Sequence, residues 1–66
     1  MLGKGDIVLV TSPDSKYAGY TGIIKKLRKK SQKAIVRIFS FNADAWLDLK
    51  DLIKITEKQK EDFEKI

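Results

Sequence analysis

Gly5-Asp6-Ile7-Val8-Leu9-Val10-Thr11, then Tyr17-Ala18-Gly19-Tyr20-Thr21-Gly22-Ile23-Ile24, is the part of the chain that decides the fold. Residues 6–11 are rich in β-branched side chains and short, and read as a strand. Side chains of a strand alternate between faces, so Val8 and Val10 share one side while Ile7 and Leu9 share the other. Ser12-Pro13-Asp14-Ser15 ends the strand, because these are turn residues and Pro13 cannot donate to a ladder. Gly22 stands directly before Ile23-Ile24, which implies either positive φ or a close approach of two backbones.

Working outward, residues 22–28 read as a second strand and residues 29–32 as a hairpin tip without glycine. Residues 34–39 make a third strand, with Ala34, Val36 and Ile38 inward and Ile35 and Arg37 outward. A loop at 40–44 precedes a fourth strand at 45–49, with Leu47 and Leu49 inward. Residues 52–55 form a short fifth strand or a 3-10 turn. Good helix formers occur in 27–33 and 45–52, but β-branched residues and turn punctuation favour strands. Short strands at this spacing predict an all-β, five-stranded barrel over residues 1–55. Residues 56–66 change pattern. Thr56-Glu57-Lys58-Gln59 fits a capping box, opposite charges recur at i,i+4, and only Phe63 and Ile66 are apolar. This predicts a short charged C-terminal helix or tail, with Phe63 packing it onto the barrel.

With 66 residues the chain suits one domain. It contains no Cys and no His, which excludes disulfides and leaves a zinc site only carboxylates. The longest apolar run, Ile7-Val8-Leu9-Val10, is far below the ~20 residues of a membrane-spanning helix. No secretion signal is legible at the N-terminus, and a cytoplasmic protein is expected. The net charge is +5 and unevenly placed. Residues 1–33 hold eight Lys/Arg against Asp6 and Asp14, and six of the nine residues 25–33 are basic. That run is either a solvated hairpin or a contact for phosphates or an acidic protein. Acid–base chemistry lacks a His, Asp44, Asp48 and Asp51 read as solvated strand ends, and Ser12, Ser15 and Ser31 have no activating base. No Gly-Lys-Ser/Thr follows the Gly-rich loop, so it is not a phosphate loop. A non-enzymatic protein without cofactor or metal is expected.

The quoted stretch resembles the KOW motif, and most of all the C-terminal KOW domain of the NusG family of transcription elongation factors. In that family an aromatic–Ala–x–aromatic–x–Gly stretch precedes two β-branched residues, as at residues 17–24 here. Ile38-Phe39 stands at the family's Ile-Phe loop, and residues 47–52 at its closing strand. The likeness covers about residues 4–55 and implies an SH3-like (KOW) barrel acting in transcription elongation or antitermination. Its partners would be RNA, a ribosomal small-subunit protein and the transcription machinery, with no membrane insertion and no small-molecule substrate. The chain departs from the family in a longer loop before Tyr17, in Ser40-Phe41 where Gly-Arg is common, and in a basic rather than acidic hairpin. The family's polymerase-binding domain is also missing, which implies an excised C-terminal domain or a free-standing KOW protein. The basic hairpin favours a specialised paralogue of the antiterminator kind. Thr11, Pro13, Tyr17, Gly19 and Gly22 also resemble the subunit S family of the plastid-type NADH dehydrogenase-like complex, a photosynthetic complex on which ferredoxin docks. A ribosome-associated KOW protein is a third reading.

Three candidate surfaces follow. Lys25, Lys26, Arg28, Lys29, Lys30, Lys33 and Arg37 form a basic ribbon for RNA, with Lys26 and Arg28 on one face and Lys25 on the other. Tyr17 and Phe39 match positions that contact the ribosomal protein in NusG-like domains. Tyr20 and Phe41 lie beside them, and an unstacked base could stack on Tyr17 or Phe41. Of these, Tyr20 is expected to plug a barrel end, and Tyr17 and Phe41 to be exposed. Leu9, Ile35 and Trp46 point away from the core. They form a docking patch if they cluster, unless the C-terminal tail covers them, which is the reading favoured here.

Overall fold

Val8 and Val10 are fully buried and Ile7 and Leu9 are half-buried, so β1 (Ile7–Val10) follows its alternation. The computed structural model describes residues 2–64, with side chains through residue 62. β2 (Thr21–Arg28), β3 (Lys33–Ile38), β4 (Ala43–Asp48) and β5 (Leu52–Lys54) follow. All five strands join one antiparallel sheet in the order β4-β3-β2-β1-β5, giving the expected small barrel-like all-β fold. A 3-10 turn, Leu49–Asp51, carries the chain from one outer strand to the other. Its ends are tied down, because Leu49 N–H donates to the Gln32 carbonyl at 2.9 Å and Thr11 N–H donates to the Asp51 carbonyl at 2.8 Å. Residues 49–55 therefore hold both the 3-10 turn and the fifth strand. The fourth strand begins and ends earlier than expected, and Leu49 lies in the turn.

The core is Val8, Val10, Ile24, Ala34, Val36, Ile38 and Leu52, with Leu2, Tyr17, Leu27, Leu47 and Leu49 packed at its margin. Burying one such aliphatic side chain stabilises by about 1.5–3 kcal/mol relative to leaving it in water. Gly22 owes its place to close approach, since its φ is not in the left-handed region. A Cβ there would lie 2.5 Å from the Arg37 carbonyl oxygen and 2.6 Å from Val36 Cγ1.

Two hairpins share one turn design. Arg28 pairs with Lys33 and Ile38 with Ala43, leaving four-residue loops at 29–32 and 39–42. In each, the last loop residue is left-handed, Gln32 at φ 55° and Asn42 at φ 48°. In each, its N–H donates to the carbonyl three residues earlier, Lys29 or Phe39, at 3.3 Å. Four-residue hairpin loops are usually built round such a turn.

α1 (Glu57–Glu64) is a helix and packs against β1. Its capping box is formed. Gln59 N–H donates to Thr56 Oγ1 at 3.1 Å, and Thr56 N–H donates to Gln59 Oε1 at 2.8 Å. The expected packing of Phe63 and Ile66 lies outside the described side chains. Among the described residues no helix is long and apolar enough to cross a membrane.

Candidate nucleic-acid interface

Ile24 is a core residue and Leu27 packs against the same core, yet they stand three apart, a spacing that a regular strand cannot put on one face. The chain solves this with a bulge. Ile24 pairs with Val36 and Lys26 with Ile35, so Lys25 is the extra residue. Two residues of β2 then oppose one of β3, and the strand bends. Leu27 returns to the core, opposite Ala34. Lys26 and Arg28 move to the outer face, opposite Ile35 and Lys33. Lys25 is exposed and lies close enough to Asp44, another outer-face residue, to help lower its pKa. The expectation that Lys25 faces away from Lys26 and Arg28 is corrected, because it assumed a strand without a bulge.

The outer face can be read in rows across the strands. Ile23, Arg37 and Asp44 form one, Lys26, Ile35 and Trp46 the next, and Arg28, Lys33 and Asp48 the third. The first row is neutralised by an ion pair, and in the third Lys33 is paired while Arg28 is not. Arg37 Nε donates to Asp44 Oδ1, and Arg37 Nη1 donates to Asn42 Oδ1 at 3.1 Å. Lys33 Nζ lies 3.5 Å from Asp48. The Arg37 hydrogen bond holds the Asp44 carboxyl below its ordinary range against some desolvation, and Arg37 is raised in return. Asp44 and Asp48 are thus ion-paired strand residues rather than simply solvated ends. Arg37 and Lys33 are correspondingly committed to them.

Lys25, Lys26, Arg28, Lys29 and Lys30 are all exposed. Among the described residues none has a carboxylate within salt-bridge distance. Arg28 reaches across β3 and places its guanidinium carbon 5.6 Å from the centre of the Trp46 ring. Trp46 remains 51% exposed, so the C-terminal helix does not cover it. Leu9 does not join Ile35 and Trp46. It pairs with Thr21 and Ile53, at the far end of β2 from Lys26. The three residues expected as a possible patch are therefore split into two places.

The aromatic rim gathers at the other end of the barrel. Phe41 is 52% exposed, as expected. Its ring meets those of Tyr17 and Tyr20 edge-on, at centroid distances of 5.6 and 4.9 Å. Tyr20 is 39% exposed and leans on Phe41 instead of plugging a barrel end. Tyr17 is half-buried rather than open to solvent, because its ring packs against the core. Phe39 is half-buried, with Lys60 Nζ 4.5 Å from its ring centre. Phe41 follows β3 and the basic tip precedes it, so six residues of strand, about 20 Å, separate them. The aromatic that the structure brings to the lysines is Trp46. Sequence reading missed that pairing, and the signal for it was the three-residue spacing of Ile24 and Leu27.

Among the described residues no group of three or more carboxylates could hold a metal ion. Compared with known families and curated proteins, the chain matches no family model and no curated protein.

Proposed function

We propose that this chain is a non-enzymatic KOW-type binding module, akin to the C-terminal domain of the NusG family, that holds RNA during transcription elongation or antitermination in the cytoplasm. The observation that carries the reading is the bulge at Lys25. It collects Lys25, Lys26 and Arg28 beside the tip residues Lys29 and Lys30. Cations without a carboxylate partner attract a polyanion over a Debye length and release its counterions on contact. Lys33 and Arg37 are held by aspartates and serve to shape the face. Support for the KOW reading comes from Gly22, the glycine of the KOW-like stretch, which sits where any side chain would collide.

The edge-on cluster of Tyr17, Phe41 and Tyr20 favours a second contact, with a ribosomal small-subunit protein. Exposed aromatics bury much area at little entropic cost. The two surfaces lie at opposite ends of β3 and could be occupied together.

The test is a salt-dependent binding titration with labelled RNA, comparing the native chain with the double variant Lys29→Glu, Lys30→Glu. Both positions are exposed, so the fold should survive. Affinity should fall at least about tenfold, and the salt slope by about two. Unchanged affinity with an intact β-type circular-dichroism spectrum would overturn the RNA reading.

A further inference from the structure

We infer that Trp46 is a base-stacking platform, so that the basic face takes single-stranded nucleic acid in preference to a duplex; this rests on the RNA reading above. Trp46 is the chain's one tryptophan, and about half of it stands in water. The rows on either side of it are closed by the pairs Arg37–Asp44 and Lys33–Asp48. Those pairs bind up the two aspartates that share its strand face, and so weaken the repulsion that a phosphate would meet there. On the row of Trp46 itself, Lys26 stands two strands away with the bulged Lys25 beside it. Two strand spacings are about 10 Å. Arg28 sits over the ring and adds a planar cation on which a base can also stack.

A flexible strand can lay one base on Trp46 and turn its phosphates toward Lys25, Lys26 and Arg28. Stacking of this kind tolerates any base, because every base has a π-face. In a duplex the base faces are hidden in the stack, so only the lysines would be used. An acidic peptide could likewise use the lysines, but it brings no ring to match the tryptophan.

Because Trp46 is the only tryptophan, fluorescence excited at the red edge of the absorption band, beyond the reach of Tyr17 and Tyr20, reports on this ring alone. The protein is titrated with an oligouridine of about eight nucleotides, with a blunt RNA duplex and with polyglutamate. Affinities come from anisotropy of labelled ligands, and ring contact comes from quenching. The expected result is saturable quenching by oligouridine and little by the other two. Trp46→Ala should weaken oligouridine binding about tenfold and leave duplex affinity unchanged, while Trp46→Phe recovers part of the loss. Equal quenching by duplex or polyglutamate, or unweakened oligouridine binding by Trp46→Ala, overturns the inference. If both RNAs bind equally well and the ring stays silent, the inference falls and the RNA reading stands. If neither RNA binds, both fall.

Discussion

Gly22 lies so close under β3 that an added methyl would stand 2.5 Å from the Arg37 carbonyl oxygen. Arg37 is the residue whose side chain holds Asp44 on the opposite side of the sheet. The close approach at Gly22 and the ion pair bordering the candidate interface therefore share one residue. Gly22→Ala must push β3 outward and should cost about 1–3 kcal/mol. Urea unfolding checks this, and a variant as stable as the native chain would contradict the close approach.

Gln32 adopts φ 55° at the last position of the basic hairpin loop, where a non-glycine residue is strained. Gln32→Gly should stabilise by roughly 0.5–1 kcal/mol, although it gives up the exposed bond from Gln32 Nε2 to the Lys29 carbonyl. Gln32→Val should destabilise, since a β-branched residue fits this region worst. Paired urea melts would show the opposite signs. Asn42 repeats the geometry but also accepts a bond from Arg37, so glycine should gain less there.

Asp44 titrates below its ordinary range in the folded chain because Arg37 donates to it. The unfolded state then binds more protons in the acid range. The stabilising effect of the pair is complete above the unfolded carboxylate value, near pH ~4, and fades as pH falls through the lower folded value. Melting temperature should fall less steeply below about pH 4 in Asp44→Asn than in the native chain. The difference is small for an exposed pair and shrinks with added salt. Identical acid slopes would show that the pair does not matter for stability.

Thr56 and Gln59 cap a helix of eight residues, too short to persist alone. Thr56→Ala should cost the helix about 1 kcal/mol. Amide exchange over residues 57–64 should quicken while exchange in β2 and β3 stays slow. Equal loss of protection in the barrel would mean that α1 is integral to its stability.

Much of the fold is local information. Val8 and Val10, and Ala34, Val36 and Ile38, are buried as alternation requires, and Thr56 with Gln59 forms the cap their spacing implies. Gly22 also carried its meaning in the sequence, since close backbone approach was one of only two reasons for a glycine there. The hairpin at Gln32 was less legible, because its left-handed residue is not a glycine.

By itself, then, the sequence determined an all-β five-stranded fold, the inward faces of the first and third strands, the helix cap and a basic second hairpin. Those follow from periods of two and from turn chemistry, which act over a few residues. Only the tertiary structure decided that Lys25 would be the bulged residue. It also decided that Arg37 and Lys33 would be taken up by Asp44 and Asp48, and that Trp46 rather than Tyr17 or Phe41 would stand among the lysines. The physical reason is register. A strand shows which side each residue faces, but which residues become neighbours depends on how separate strands align, and one inserted residue re-pairs every residue beyond it.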